Sequence, residues 1–104
     1  MRFNKKEYLI VDGYNIINAW DELKELAKTD LEHAREKLID AIIEYAEYTG
    51  RKGVIVFDAY NIKSCKEKIE TRKHITIVYT KEHQTADSYI EKFIGSLSKY
   101  DDIK

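Results

Sequence analysis

The chain has 104 residues, 43% hydrophobic and 36% charged, with a formal net charge of -1 and one cysteine, Cys65. That length suits one small domain. A polycationic chain, an internal disulfide and a cysteine-rich zinc site are excluded. The charged start, Met1 to Glu7, lacks the apolar stretch of a signal peptide, and nowhere is there the run of about 18 apolar residues that marks a membrane span. With its single cysteine, the sequence predicts a reducing, cytoplasmic setting.

Tyr8 to Val11 (YLIV) is short, apolar on both faces and rich in strand formers, which predicts a buried parallel strand. Asp12-Gly13 then breaks it. Asn15 to Leu26 reads as a short helix or two. Thr29 to Thr49 is the clearest helix, with Thr29 and Glu32 at capping-box spacing. Its apolar face holds Leu31, Ala34, Leu38, Ile42 and Tyr45, widened by Ile39, Ile43 and Ala46. Gly50 is placed to end it, because glycine adopts the left-handed conformation cheaply.

Gly53 to Phe57 (GVIVF) predicts a second buried strand, closed by Asp58. Ala59 to Arg72 is polar and basic and carries no assignment. His74 to Tyr79 (HITIVY) predicts a third strand. Thr85 is placed to cap a last helix, whose apolar face would hold Ala86, Ile90, Phe93, Ile94 and Leu97. Strands alternating with helices predict an α/β fold: a parallel sheet, right-handed crossovers and helices on both faces. Ligands of such sheets sit beyond the carboxyl ends of the strands.

That edge is where the acids fall. Asp12 ends the first strand, Asp58 ends the second, and Asp87 lies in the first turn of the helix after the third. Crowded carboxylates need neutralising, and a hard divalent cation, Mg²⁺ or Mn²⁺, is the usual remedy. Such an ion activates water and offsets charge on a phosphodiester. Each acid also has a structural use: Asp12 and Asp58 as turn openers, Asp87 as a complement to the helix dipole. Asn15 can cap a helix or hold a ligand. Thr85 is first a cap, with a hydrogen bond to Asp12 or to a metal-bound water as its other use. Glu82 is a further nearby acid or an ordinary loop glutamate.

A basic stretch contains Lys63, Lys66, Lys68, Arg72, Lys73 and Lys81 against Glu67 and Glu70, with Tyr60, His74 and Tyr79 interleaved. It reads either as an RNA-binding patch, cations for phosphates and rings for unpaired bases, or as a solvated loop. No P-loop, dinucleotide fingerprint or nucleophile elbow is present, and His33, His74 and His83 lack ligand spacing. A receiver-type signalling domain would want an acidic pair after its first strand, where this chain has Gly13-Tyr14.

The ordered segments V-D-G-Y-N-I-I-N-A-W (Val11 to Trp20), Y-T-G (Tyr48 to Gly50), V-F-D-A (Val56 to Ala59) and T-K-E-H-Q-T-A-D (Thr80 to Asp87) span almost the whole chain. Together they resemble the YacP-like group of NYN domains, a branch of the PIN-like nuclease superfamily. The resemblance implies a PIN-like three-layer α/β/α sandwich around a central parallel sheet. It also implies Mg²⁺- or Mn²⁺-dependent endoribonuclease activity, described for the group on ribosome-associated mRNA. By position, Asp12 and Asp87 match acidic site residues, Asp58 a strand-end aspartate of the same site, and Asn15 a supporting polar residue. Members of the group continue past the point matching Lys104, through a fourth strand with a T-S-D-like segment and further acids to a basic tail. On that resemblance the last strand of the family fold is missing, and Asp101 and Asp102 do not replace its acids. Three expectations follow: an exposed apolar edge on the first strand that invites self-association, weaker metal binding, and, as the alternative function, an RNA- or ribosome-binding module without catalysis.

Overall fold

The computed structural model describes residues 2–3, 8–58, 66–81 and 83–101, with 2–3 and 97–101 described as backbone alone. Among the described residues, five strands form one sheet: β1 (Arg2–Phe3), β2 (Tyr8–Asp12), β3 (Lys52–Phe57), β4 (Lys68–Arg72) and β5 (Ile75–Tyr79), in the order β1-β2-β3-β5-β4. Accompanying them are the helices α1 (Gly13–Ala19), α2 (Asp21–Thr29), α3 (Leu31–Thr49) and α4 (Ala86–Asp101). Helices α1 and α3 lie on one face of the sheet, with α2 against them, and α4 lies on the other. The three-layer α/β/α architecture is therefore present. No helix among the described residues is long and apolar enough to cross a membrane.

Strand alternation divides the core. Leu9, Val11, Ile55, Phe57, Ile75 and Ile77 face α1, α2 and α3, meeting Ile17, Leu23, Leu38, Ile39 and Ile42. Ile10, Val54, Val56 and Val78 face α4, meeting Ala86 and Ile90. Tyr8 adds an edge-on ring contact to Phe93 at 5.6 Å. Each fully buried aliphatic side chain contributes about 1.5–3 kcal/mol relative to exposure. A strand buried on both faces has no room for the alternation of a half-wet one, which is why these segments read as unbroken apolar runs.

The sheet departs from expectation at both edges. Strands β2, β3 and β5 pair in parallel, as predicted, but β1 and β4 pair antiparallel on either side of them. Strand β1 folds back along β2, Arg2 opposite Ile10 and Phe3 opposite Leu9. The bare apolar edge expected on the first parallel strand is thus covered along Leu9 and Ile10. Strand β4, in the stretch left unassigned, forms a hairpin with β5 through a two-residue turn in which Lys73 has φ 50.

The start of α3 also differs. Asp30 is its N-cap, accepting from the His33 backbone N–H at 3.0 Å. Thr29 is instead the last residue of α2, its hydroxyl turned back to the Leu26 carbonyl. The capping box expected between Thr29 and Glu32 is not used, because the carboxylate one position later reaches the orphan donor. Gly50 ends α3 at φ 74, as its sequence position suggests.

Candidate active site at the carboxyl edge of the sheet

Asp12 occupies the last position of β2 and caps α1 in extended conformation, φ -84 and ψ 101. Its carboxylate accepts from the Asn15 backbone N–H at 3.4 Å and from Asn15 Nδ2 at 3.1 Å. Asp12, not Asn15, is thus the cap of α1; Asn15 lies in its first turn and clamps the acid. Gly13 is needed here for space rather than for a turn. A Cβ at this position would lie 2.4 Å from Phe57 Cε1.

Asp58 directly follows β3. Its Oδ2 accepts from the backbone N–H of Ala86, the first residue of α4, at 3.2 Å. Sheet register explains the meeting: Asp12 pairs with Val56, two residues before Asp58, on the face that α4 covers. The helix N-terminus carries partial positive charge, so the contact suits an ionised carboxylate. Thr85 caps α4, its hydroxyl accepting from the Ser88 N–H at 3.1 Å. Asp87 follows Ala86 in the first turn and is exposed.

The sequence reading passed over two polar residues at this edge. Thr80, fully buried, extends the β3–β5 ladder by donating its N–H to the Phe57 carbonyl at 3.0 Å. Gln84, between Lys81 and the α4 cap, has a buried Oε1 with no hydrogen-bond partner among the described residues. Both lie inside the T-K-E-H-Q-T-A-D segment, which was the available signal.

Among the described residues, no group of three or more His, Cys, Asp or Glu side chains comes together as a metal cluster. Glu82, the fourth acid considered, lies outside the described residues, as do Lys63 and Tyr60. The donors present are hard carboxylate oxygens on adjacent strand ends. They fit a cation such as Mg²⁺ that uses one or two protein carboxylates and fills its shell with water and substrate phosphate, rather than a closed cage.

Among the described residues, the cations of the basic stretch are spread over both ends of the β4–β5 hairpin. Lys66 and Lys68 lie towards the carboxyl edge beside Tyr79, whereas Lys73 sits at the far end of β4, 3.4 Å from Glu47. Arg72 makes a bidentate pair with Glu36 of α3, at 2.8 and 3.0 Å, and Lys68 pairs with Glu70 at 3.0 Å. Arg72 holds the Glu36 carboxyl below its ordinary range, and Glu70 raises Lys68. Lys81 is exposed, just past β5. Arg72, Lys66 and Lys68 line a cleft of about 380 Å³ together with Arg35, Glu32, Glu36, Glu70 and Tyr79. Burial, and then the Glu70 charge, raise the Tyr79 phenol above its usual value, so it stays protonated.

The family model described as "YacP-like NYN domain" matches residues 9–104. The chain belongs to the YacP-like NYN domain family. It is 42% identical over 92 residues to the Bacillus subtilis (strain 168) protein named "Uncharacterized protein YacP", covering 88% of this chain and 54% of that one. The crystal structure of Rae1 (YacP) from Bacillus subtilis matches with a TM-score of 0.72 at 41% identity, covering 93% of this chain and 52% of that one. A mutant of the same protein matches with the same TM-score over 88% of this chain and 51% of the other. This NYN domain thus spans about half the length of the relatives it matches.

Proposed function

We propose that this NYN domain carries part of a metal-dependent endoribonuclease site that hydrolyses RNA phosphodiester bonds, with ribosome-associated mRNA as the substrate class. The observation supporting this most is the arrangement of Asp12 and Asp58 at the ends of adjacent parallel strands, with Asp58 bonded to the helix that carries Asp87. Bound Mg²⁺ or Mn²⁺ would supply an activated water and offset charge on the scissile phosphate. The chain's own residues prepare the edge. Asn15 fixes the Asp12 carboxylate, and the Ala86 N–H fixes that of Asp58. The positive end of α4 favours an approaching phosphate. Lys66 and Lys81, exposed near that edge, add charge for the RNA backbone.

A second reading, an RNA- or ribosome-binding module that does not cut, draws support from the lack of a three-acid group among the described residues. One experiment separates the two. A fluorophore-quencher RNA is incubated with the domain and Mn²⁺, with calorimetric Mn²⁺ titration alongside. On the nuclease reading, cleavage stops with EDTA and falls at least about a hundredfold in Asp12→Asn, Asp58→Asn and Asp87→Asn. RNA retention without metal-dependent cleavage would transfer the case to the binding module. Cleavage unaffected by Asp12→Asn would reject the aspartate site.

A further inference from the structure

The cleft between α3 and the β4–β5 hairpin opens at the same sheet edge as the acids but on the opposite face. Tyr79, in its wall, pairs with Phe57, the residue before Asp58. The Tyr79 ring is stacked on Phe57 at 5.5 Å and 22°, and Phe57 meets Tyr14 at 5.2 Å. Arg35 donates to the Tyr14 hydroxyl at 3.2 Å, tying the cleft wall to that row of rings. A side chain held on a ladder of rings loses little entropy when a flat ligand stacks on it.

The lining excludes a plain phosphate site. It holds four cations, Arg35, Lys66, Lys68 and Arg72, against three carboxylates, Glu32, Glu36 and Glu70. Arg72 is already committed to Glu36, and Lys68 to Glu70. Glu32 makes no ion pair among the described residues and offers two acceptor oxygens at the cleft. A flat ring, carboxylate acceptors and nearby cations match a nucleobase that presents N–H donors and carries a phosphate nearby. The volume, about 380 Å³, lies in the range of small-ligand pockets.

We infer that this cleft is a nucleobase subsite, in which a base with N–H donors stacks on Tyr79 and donates to the α3 carboxylates. Guanine suits it best, because N1–H and the 2-amino group together match the two oxygens of one carboxylate. Lys68 now lies over the Tyr79 ring, its nitrogen 5.7 Å from the centroid, and its side chain, 66% exposed, leaves an incoming base room to displace it from the ring face. The inference rests on the RNA reading above and adds to it a preferred base beside the cleavage edge.

The test needs neither metal nor cleavage. Isotopically labelled domain in EDTA is titrated with GMP, AMP, CMP, UMP and inorganic phosphate, following backbone amide shifts. GMP is expected to move the signals of Arg35, Glu70 and Tyr79 and to bind at least about fivefold more tightly than UMP. Tyr79→Leu should weaken GMP about tenfold. Tyr79→Phe, which keeps the ring, should hold affinity within about twofold and guards against a folding artefact. Inorganic phosphate or UMP binding as tightly as GMP, or GMP shifts confined to other residues, would overturn the inference. GMP binding here without RNA cleavage leaves the subsite standing and removes the nuclease reading. Aspartate-dependent cleavage with no nucleotide in the cleft does the reverse.

Discussion

Replacing Gly13 by alanine tests how tightly the first helix must sit on the sheet. The added methyl would lie 2.4 Å from Phe57 Cε1, 2.6 Å from Cδ1 and 3.1 Å from Cζ. Carbon atoms settle near 3.5–4.0 Å, so ring and helix must part by about 1 Å. The ring has little freedom to yield: it is 1% exposed and held between Tyr14 and Tyr79. Overpacking of this kind costs about 1–3 kcal/mol. Against it stands the better helix propensity of alanine, at most about 1 kcal/mol and less at a first helical position. The net expectation is a loss of about 1–2 kcal/mol, or about 5–10 °C in Tm for a domain of this size. Urea denaturation followed by circular dichroism measures it, with Phe57→Leu and the double variant completing a cycle. The shorter side chain makes room for the methyl, so the double variant should lose less than the sum of the singles, by about 1 kcal/mol. A neutral or stabilising Gly13→Ala, or strict additivity in the cycle, would refute the close approach.

Three further outcomes are expected. Asp30→Ala should cost about 1 kcal/mol as the loss of the α3 cap, while Thr29→Ala should cost only a few tenths; the reverse order in thermal melts would restore the capping box read from sequence. Gly50→Ala should destabilise by about 1–2 kcal/mol through backbone strain alone, since φ is 74 and a Cβ there meets nothing within 4 Å; an unchanged melting temperature would contradict the left-handed cap. The Glu36 carboxyl is lowered on folding, chiefly by its hydrogen bonds from Arg72, so their pairing stabilises the fold above the ordinary value of 4.5 and is lost as pH falls through the folded value. Arg72→Ala should therefore destabilise at neutral pH, by no more than about 1 kcal/mol for a pair this exposed, with the difference fading in acid; a difference independent of pH would remove Glu36 as its source.

The parallel centre of the sheet and the two long helices were legible because burial on both faces leaves unbroken apolar runs, and burial on one face leaves a helical stripe. Strand β4 was not. Its sequence, K-I-E-T-R, has one apolar residue, and even that, Ile69, is 53% exposed. Its strand character comes from pairing with β5 and from ion pairs to α3, a partner 36 positions away at Arg72–Glu36. The same long-range pairing spreads the described cations of the basic stretch, since alternation and acids on another element decide where each one points. Strand β1 escaped notice because two residues carry no periodicity. At the site, strand-end position was enough to bring Asp12 and Asp58 forward. That Asn15 clamps one acid and a helix N–H the other required the folded geometry.

The bond from the Ala86 N–H to Asp58 makes this carboxylate a rivet as well as an edge group. It joins the end of β3 to the start of α4, which covers that face and where Ile90 and Phe93 complete the smaller half of the core. Alanine at position 58 would unfasten the layer and alter the edge in the same stroke. Asparagine keeps an oxygen for the helix while removing the charge. The acid can therefore be neutralised without loosening the layer, but it cannot be shortened.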